Sequence, residues 1–373
     1  MRAAFLIIAI LSLSAIVRGQ SGVKPTPSPT PKSGEQEPVR VFTEEVRLTI
    51  AATDTYGHYD PTLTIDDVLV LEDGQQQQIK SMQHLPTNVL LLLDVGNQLG
   101  LKDTNQTRDV AMRVINSLFR GTRFAVMQFA LKPELVQPWT TDKSGIELLL
   151  KRKLLSGKSS RLADAFAAAA VQFKDTPAGT RHIVIVSDGV DTPGGKITMA
   201  NALKQLNSTQ ASVHILSYTV LERQVLQTKT KVVRGGDGVQ RDAQPGGNPV
   251  ANGDPTLPPG VTRNPSFRIG SIDTDVAMRR KRKEYERATR DSEKQLAAIA
   301  DESGGRIFLP ANASELFAQA DSVARDIGSQ YVVTYRPTRA LSQATPGEYR
   351  KVEVAPRRVG LYLKTRKGYV VPN

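Results

Sequence analysis

The sequence predicts an α/β fold: a doubly wound, mainly parallel sheet with a small β-rich accessory module formed by the N- and C-terminal segments. Two runs, VLLLL (Val89 to Leu93) and HIVIVS (His182 to Ser187), have the near-continuous apolar character of strands buried on both faces. Helix-patterned segments alternate with such runs through residues 84–337, which implies parallel strands covered on both sides. The flanks at 41–83 and 338–373 carry β text without a helical pattern.

Arg2 and the short apolar stretch Ala3 to Val17 open the chain, and Val17 and Gly19 are small residues ahead of Gln20. This is the pattern of a signal peptide over 1–19, cleaved near Gly19-Gln20, with a retained N-terminal anchor as the alternative. The stretch is too short for a comfortable membrane span. The expected location is outside the cytoplasm: secreted, periplasmic or attached to the cell envelope. Residues 20–40 form a Pro/Ser/Thr-rich tether that cannot pack. The chain has no cysteine, which excludes a disulfide framework and a thiolate metal site.

Strand text runs from Val41 to Ala52 and again over Val68, Val70 and Leu71, ended by Glu72-Asp73-Gly74. After Val89 to Leu93, Asp103 can cap a helix with Val110, Val114, Leu118 and Phe119 on one face. Arg123 to Phe129 and Lys132 to Trp139 suggest a hairpin. Helices fit Lys143 to Lys151, Arg161 to Phe173 and Ile197 to Leu206, and Val213 to Thr219 is a strand. Residues 222–271, rich in Gly, Pro, Asn and Gln, read as a disordered or loosely folded insertion. A helix from about Asp275 to Glu302 stops at Gly304-Gly305. Arg306 to Leu309 is a short strand, Ser314 to Ile327 a helix, and Tyr331 to Tyr335 a last parallel strand. Tyr349 to Val354 and Leu361 to Lys364 pattern as a terminal β-hairpin.

Ligands of open parallel sheets bind beyond the carboxyl ends of the strands. Two carboxylates stand there: Asp94 after VLLLL, and Asp188 after HIVIVS. A charge at such a position needs water, a donor or a cation; the plainer role for each is to cap its own loop.

The segments LLLLDVGNQLG, GKSSRLADAFAAAA and HIVIVSDGVDT together resemble the three loop signatures of the von Willebrand factor A fold, a Rossmann-like architecture. QLAAIADESGGRIFLP, SQYVVTYRP, GEYRKVEV, TRKGY and LTIDDVLVLEDGQQQQI are similar to the exported VWFA-related family described from Acidobacteria. The resemblance implies a metal-ion-dependent adhesion site built from Asp94, Gly96, Gln98, Ser160 and Asp188. Here Gly96 has no side-chain oxygen and Gln98 offers an amide in place of a hydroxyl. The implied site is therefore degenerate, with Asp94, Gln98, Ser160 and Asp188 as the metal ligands for Mg²⁺ (or Mn²⁺ or Ca²⁺). The implied partner-binding rim is Asp94, Asn97, Ser160 and Asp188; Asn97 and Ser187 are nearby polar groups outside the ligand set.

Catalytic signatures are missing: the sequence has no G-x-S-x-G elbow, no phosphate-binding loop, and no zinc spacing among His58, His84, His182 and His214. His182 and His214 belong to core strands, where packing or a capped imidazole is expected. Lys plus Arg outnumber Asp plus Glu by 49 to 37, a balance of +12 that favours anionic partners. Arg279, Arg280, Lys281, Arg282 and Lys283 could touch an anionic envelope component, or simply form a solvated helix face with the following glutamates. No aromatic interleaving accompanies that run, so nucleic acid is not expected. Two functions follow: a non-enzymatic protein-binding or adhesion module using the rim, or an assembly scaffold with a vestigial metal site that binds through the β module or the basic helix.

Overall fold

A computed structural model of the chain describes residues 44–97, 103–174, 176–230 and 276–371. The first half contains β1 (Val46–Thr53), β2 (Val68–Glu72), β3 (Gln75–Gln77), β4 (Ile79–Gln83), β5 (Thr87–Asp94), α1 (Thr104–Ser117), β6 (Arg123–Phe129), β7 (Pro133–Thr140), α2 (Ile146–Lys153) and α3 (Leu162–Gln172). The second contains β8 (Thr180–Ser187), α4 (Met199–Ser208), β9 (Ser212–Ser217), α5 (Thr219–Thr230), α6 (Val276–Glu302), β10 (Ile307–Phe308), α7 (Ala313–Gly328), β11 (Tyr331–Tyr335), β12 (Tyr349–Pro356), β13 (Tyr362–Lys364) and β14 (Gly368–Val370).

The central sheet has the order β10-β9-β8-β5-β6-β7. All its pairings are parallel except β7, which returns antiparallel to β6 at one edge. Alternation along β5 explains its apolar run. Val89, Leu91 and Leu93 pack against Val110 and Val114 of α1 and Leu316 and Val323 of α7. Leu90 and Leu92 face the other layer, with Phe166 of α3, Leu206 of α4 and Leu296 of α6. Asp103 caps α1 as expected, accepting the Asn105 N–H at 2.9 Å.

The accessory module is a sandwich of two four-stranded sheets, β13-β1-β11-β4 and β14-β12-β2-β3, around Leu48, Ile50, Val70, Val333 and Tyr335. Inside it Arg350 and Glu72 form an ion pair at 2.9 Å, with 0% and 3% of their side chains exposed.

Four expectations change. β11 is not a parallel strand of the central sheet; it runs antiparallel between β1 and β4. Its apolar run reports burial on both faces, which a sandwich strand satisfies equally well. The terminal hairpin does not form either, since β12 pairs with β14 and β2 while β13 pairs with β1 in the opposite sheet. Phe119 is 54% exposed because α1 ends at Ser117 and Leu118 turns to an extended backbone. Residues 222–230, read as the start of an insertion, belong to α5; 231–271 lie outside the described residues.

His182 on β8 and His214 on β9 are buried, as core histidines should be. Neither is capped: among the described residues none of their four ring nitrogens has a hydrogen-bond partner.

Candidate functional site

The carboxyl edge of the central sheet gathers the expected residues from three loops. β5 delivers Asp94 fully buried. Its Oδ1 accepts the Gly96 N–H at 3.0 Å and the Ser160 hydroxyl at 2.6 Å, and its Oδ2 accepts the Ser187 hydroxyl at 2.6 Å. The loop carrying Ser160 is tied to the β5 loop by Gly157 N–H to Val95 O and Asn97 N–H to Gly157 O, each 2.8 Å. It is tied to the β8 loop by Thr192 N–H to Ser160 O at 2.6 Å. Asp191 caps α3 by accepting the N–H groups of Leu162 (2.7 Å) and Ala163 (3.4 Å). Burial pushes the Asp191 carboxyl up, against the pull of those two donors.

Asp188 has other partners. Its Oδ1 accepts the Val190 N–H at 2.9 Å, and its Oδ2 accepts the hydroxyl of Tyr285 from α6. The same phenol lies 3.0 Å from Glu222 Oε2 on α5. Burial, with Asp188 and Glu222 alongside, pushes the phenol far above its ordinary range, so it remains a donor.

The structure thus brings Asp94 and Ser160 into direct contact and engages Asp188 with α6. Asn97 is part-exposed on the rim, and Gln98 lies outside the described residues. Asp94, Ser160 and Asp188 are each no more than 1% exposed, so they shape the rim from beneath it. Part-exposed Arg161 lies next to them, and its Nε is buried with no hydrogen-bond partner among the described residues. Of the basic run, Arg280, Lys281 and Lys283 are exposed, and Arg280 pairs with Glu284 at 2.9 Å; the Arg279 side chain lies outside those described.

Three participants escaped the sequence reading. Ser187 stands at a strand end that the sequence shows, but nothing local to it says that its hydroxyl turns to Asp94. Tyr285 belongs to a helical stripe with Thr289, Ser292, Leu296 and Ile299, a spacing that could have flagged it. Glu222 fell inside the segment read as disordered.

The described residues do not fit a divalent-metal site. Mg²⁺ needs about six oxygens in octahedral array, and among the described residues the implied set offers only the side-chain oxygens of Asp94, Ser160 and Asp188, with none at Gly96. Both Asp94 oxygens already take serine O–H donors. A hydroxyl cannot be restored at position 96, because a Cβ there collides with Ser160 Oγ and the Ser159 carbonyl. The Ser160 hydroxyl fills that space and turns toward the carboxylate.

Residues 88–231 match the family model described as von Willebrand factor type A domain. No curated protein matches the chain. Among solved structures, it is similar to BatB from Bacteroides thetaiotaomicron (20% identity, TM-score 0.31), covering 35% of this chain and 66% of that one. It is also similar to an aerotolerance-related membrane protein from Bacteroides fragilis (16% identity, 65% of this chain and 98% of that one, TM-score 0.37). A third is a von Willebrand factor type A protein from Catenulispora acidiphila (10% identity, 82% and 73%, TM-score 0.41).

Proposed function

We propose, from the premise that residues 88–231 form a von Willebrand factor type A domain, that this chain is a non-enzymatic protein-binding module. We read it as exported to the cell envelope, meeting its partner through the loops at the carboxyl ends of the parallel strands. Domains of this family are in general non-catalytic interaction modules, often with a metal at this edge. The observation that carries the reading is the cross-tying of three loops around Asp94 and Ser160, which gives a rigid rim before any partner arrives. The metal site is degenerate, and its place is taken by hydroxyl-to-carboxylate hydrogen bonds. Contact with the partner then falls to the part-exposed residues Asn97 and Arg161, the latter a cation that suits an acidic side chain.

Isothermal titration with Mg²⁺, Mn²⁺ and Ca²⁺ should give no saturable heat. A saturable heat that Asp94→Ala abolishes defeats the metal-independent reading. Asp94→Ala should also lower stability by about 2–3 kcal/mol, because it strands two buried hydroxyls and the Gly96 N–H. For the binding itself, immobilised full-length protein is exposed to envelope extract with and without EDTA. Capture should survive the chelator and be lost with Arg161→Glu; loss in EDTA, or indifference to the charge reversal, counts against the rim.

One observation favours a second reading, an assembly scaffold held to an anionic envelope component. Arg280, Lys283, Arg287, Arg290 and Lys294 line the outward face of α6, opposite its buried stripe. Salt-sensitive co-sedimentation with anionic but not neutral vesicles should reveal it, and equal binding to both removes it.

A further inference from the structure

We propose that this edge already holds a ligand, the N-terminal half of α6, and that Asp188 and Glu222 form a seat for a hydrogen-bond donor, which Tyr285 occupies. The inference concerns the same edge as the binding reading, yet the docking of α6 stands on its own observations.

The first is the seat. Asp188 comes from the loop after β8 and Glu222 from α5, 1% and 4% exposed, and one phenolic hydrogen serves both carboxylates. An acceptor pair of this kind takes a hydroxyl or a cation. It is opposite in sign to a metal-loaded site, whose cation takes a partner's carboxylate.

The second is how α6 is held along its length. Toward its C-terminus Leu296, Ile299 and Ala300 belong to the apolar core of the sheet. Toward its N-terminus the same stripe changes character, to Tyr285, Thr289 and Ser292, all buried. The Ser292 hydroxyl donates to the Asp188 carbonyl at 2.6 Å, and Glu293 accepts from Thr219 Oγ1 at 3.1 Å and Arg223 Nη1 at 2.7 Å. Between the two halves, Gly189 adopts φ +73°, and a Cβ there would strike Leu296, so the helix sits directly on the turn after Asp188. Hydrogen bonds exchangeable with water hold one half and apolar burial holds the other. Segments of the first kind open locally at a fraction of the global unfolding free energy. The N-terminal half of α6 is therefore a separately opening unit, and a partner using the seat competes with Tyr285 for it.

Hydrogen exchange followed by mass spectrometry on the full-length chain tests this. In the wild type, peptides spanning 280–292 should exchange faster than those spanning 296–302. Tyr285→Phe keeps the ring and removes the donor; it should speed exchange over 280–292 about tenfold, the worth of one hydrogen bond to a charged group, and leave 296–302 and β5 unchanged. Tyr285→Lys returns a donor and should restore the wild-type rate. A uniform rise across α6 and the sheet overturns the separate unit, and no change in Tyr285→Phe overturns the docking. A lysine variant as fast as the phenylalanine variant overturns the donor seat. These outcomes are distinct from failure of the extract capture, which removes the binding reading and leaves the docking of α6 in place.

Discussion

Replacing Glu72 by alanine should lower the unfolding free energy by about 3–5 kcal/mol, the range for removing one partner of a buried ion pair. Glu72 is the hub of the sandwich core. Its Oε1 accepts from Arg350 Nη1 at 2.9 Å, and its Oε2 accepts the hydroxyls of Tyr335 at 2.6 Å and Tyr369 at 3.0 Å. Burial raises both phenols, and the Glu72 charge adds to it, so they stay donors. The Arg350 guanidinium donates three further hydrogens, to the carbonyls of Arg339 (2.7 Å) and Ala340 (3.1 Å) and to Glu348 at 3.3 Å. Every group in the network has a partner, which is the condition under which buried charges are tolerated. Alanine at 72 strands an almost fully enclosed guanidinium and two phenols at once. The double variant Glu72→Leu/Arg350→Met should recover most of the loss, since an apolar pair of similar volume carries no desolvation penalty. Urea unfolding of the three proteins decides the matter; a loss below about 1 kcal/mol in Glu72→Ala removes the network from any structural role.

Acid should weaken the protein well above the range in which its surface carboxylates titrate. The ring centroids of His182 and His214 lie 5.8 Å apart in the central sheet. Burial pushes His214 down to about 3, with Lys364 and Arg306 adding to it. Burial likewise holds His182 well below its ordinary value, with His214 and Arg366 adding to it. In both cases the folded state binds its proton less readily than the unfolded chain. Their contribution is therefore complete above the unfolded value near 6.5 and is lost as pH falls through that point toward the folded value. At pH 4.5 His214 alone withdraws about 3 kcal/mol. Asp191 and Asp326, whose carboxyls burial raises, work in the opposite direction, while Asp60 and Asp321, held down by Thr62 and Arg113, add their losses only at lower pH. His214→Leu should flatten the stability profile between pH 6.5 and 4.5 in denaturant titrations at a series of pH values. An unchanged slope means that the pair does not titrate as its burial requires.

Both effects come from groups the sequence could name but not connect. His182 and His214 were legible as core histidines because they stand in apolar runs, yet their missing partners depend on which strands lie side by side. Glu72 looked like turn chemistry beside Asp73-Gly74. Its role depends on Arg350, 278 residues away in sequence.

The carboxylate that marks the site was legible for a local reason. A strand buried on both faces reads as unbroken apolar text, so the first charge after it, Asp94 or Asp188, must stand at its carboxyl end. Local pattern likewise placed the caps and turns, Asp103 and Gly304 among them, because those depend on neighbours a few residues apart. The sequence by itself thus determined the alternating α/β order, the doubly wound sheet and the edge where its loops converge. Only the tertiary structure decided that β11 joins the sandwich, since burial on two faces does not say which sheet supplies them. Only it decided that Ser160 fills the space at Gly96 and that Tyr285, 97 residues beyond Asp188, closes the edge. Those outcomes rest on contacts between distant segments, whose geometry no local periodicity encodes.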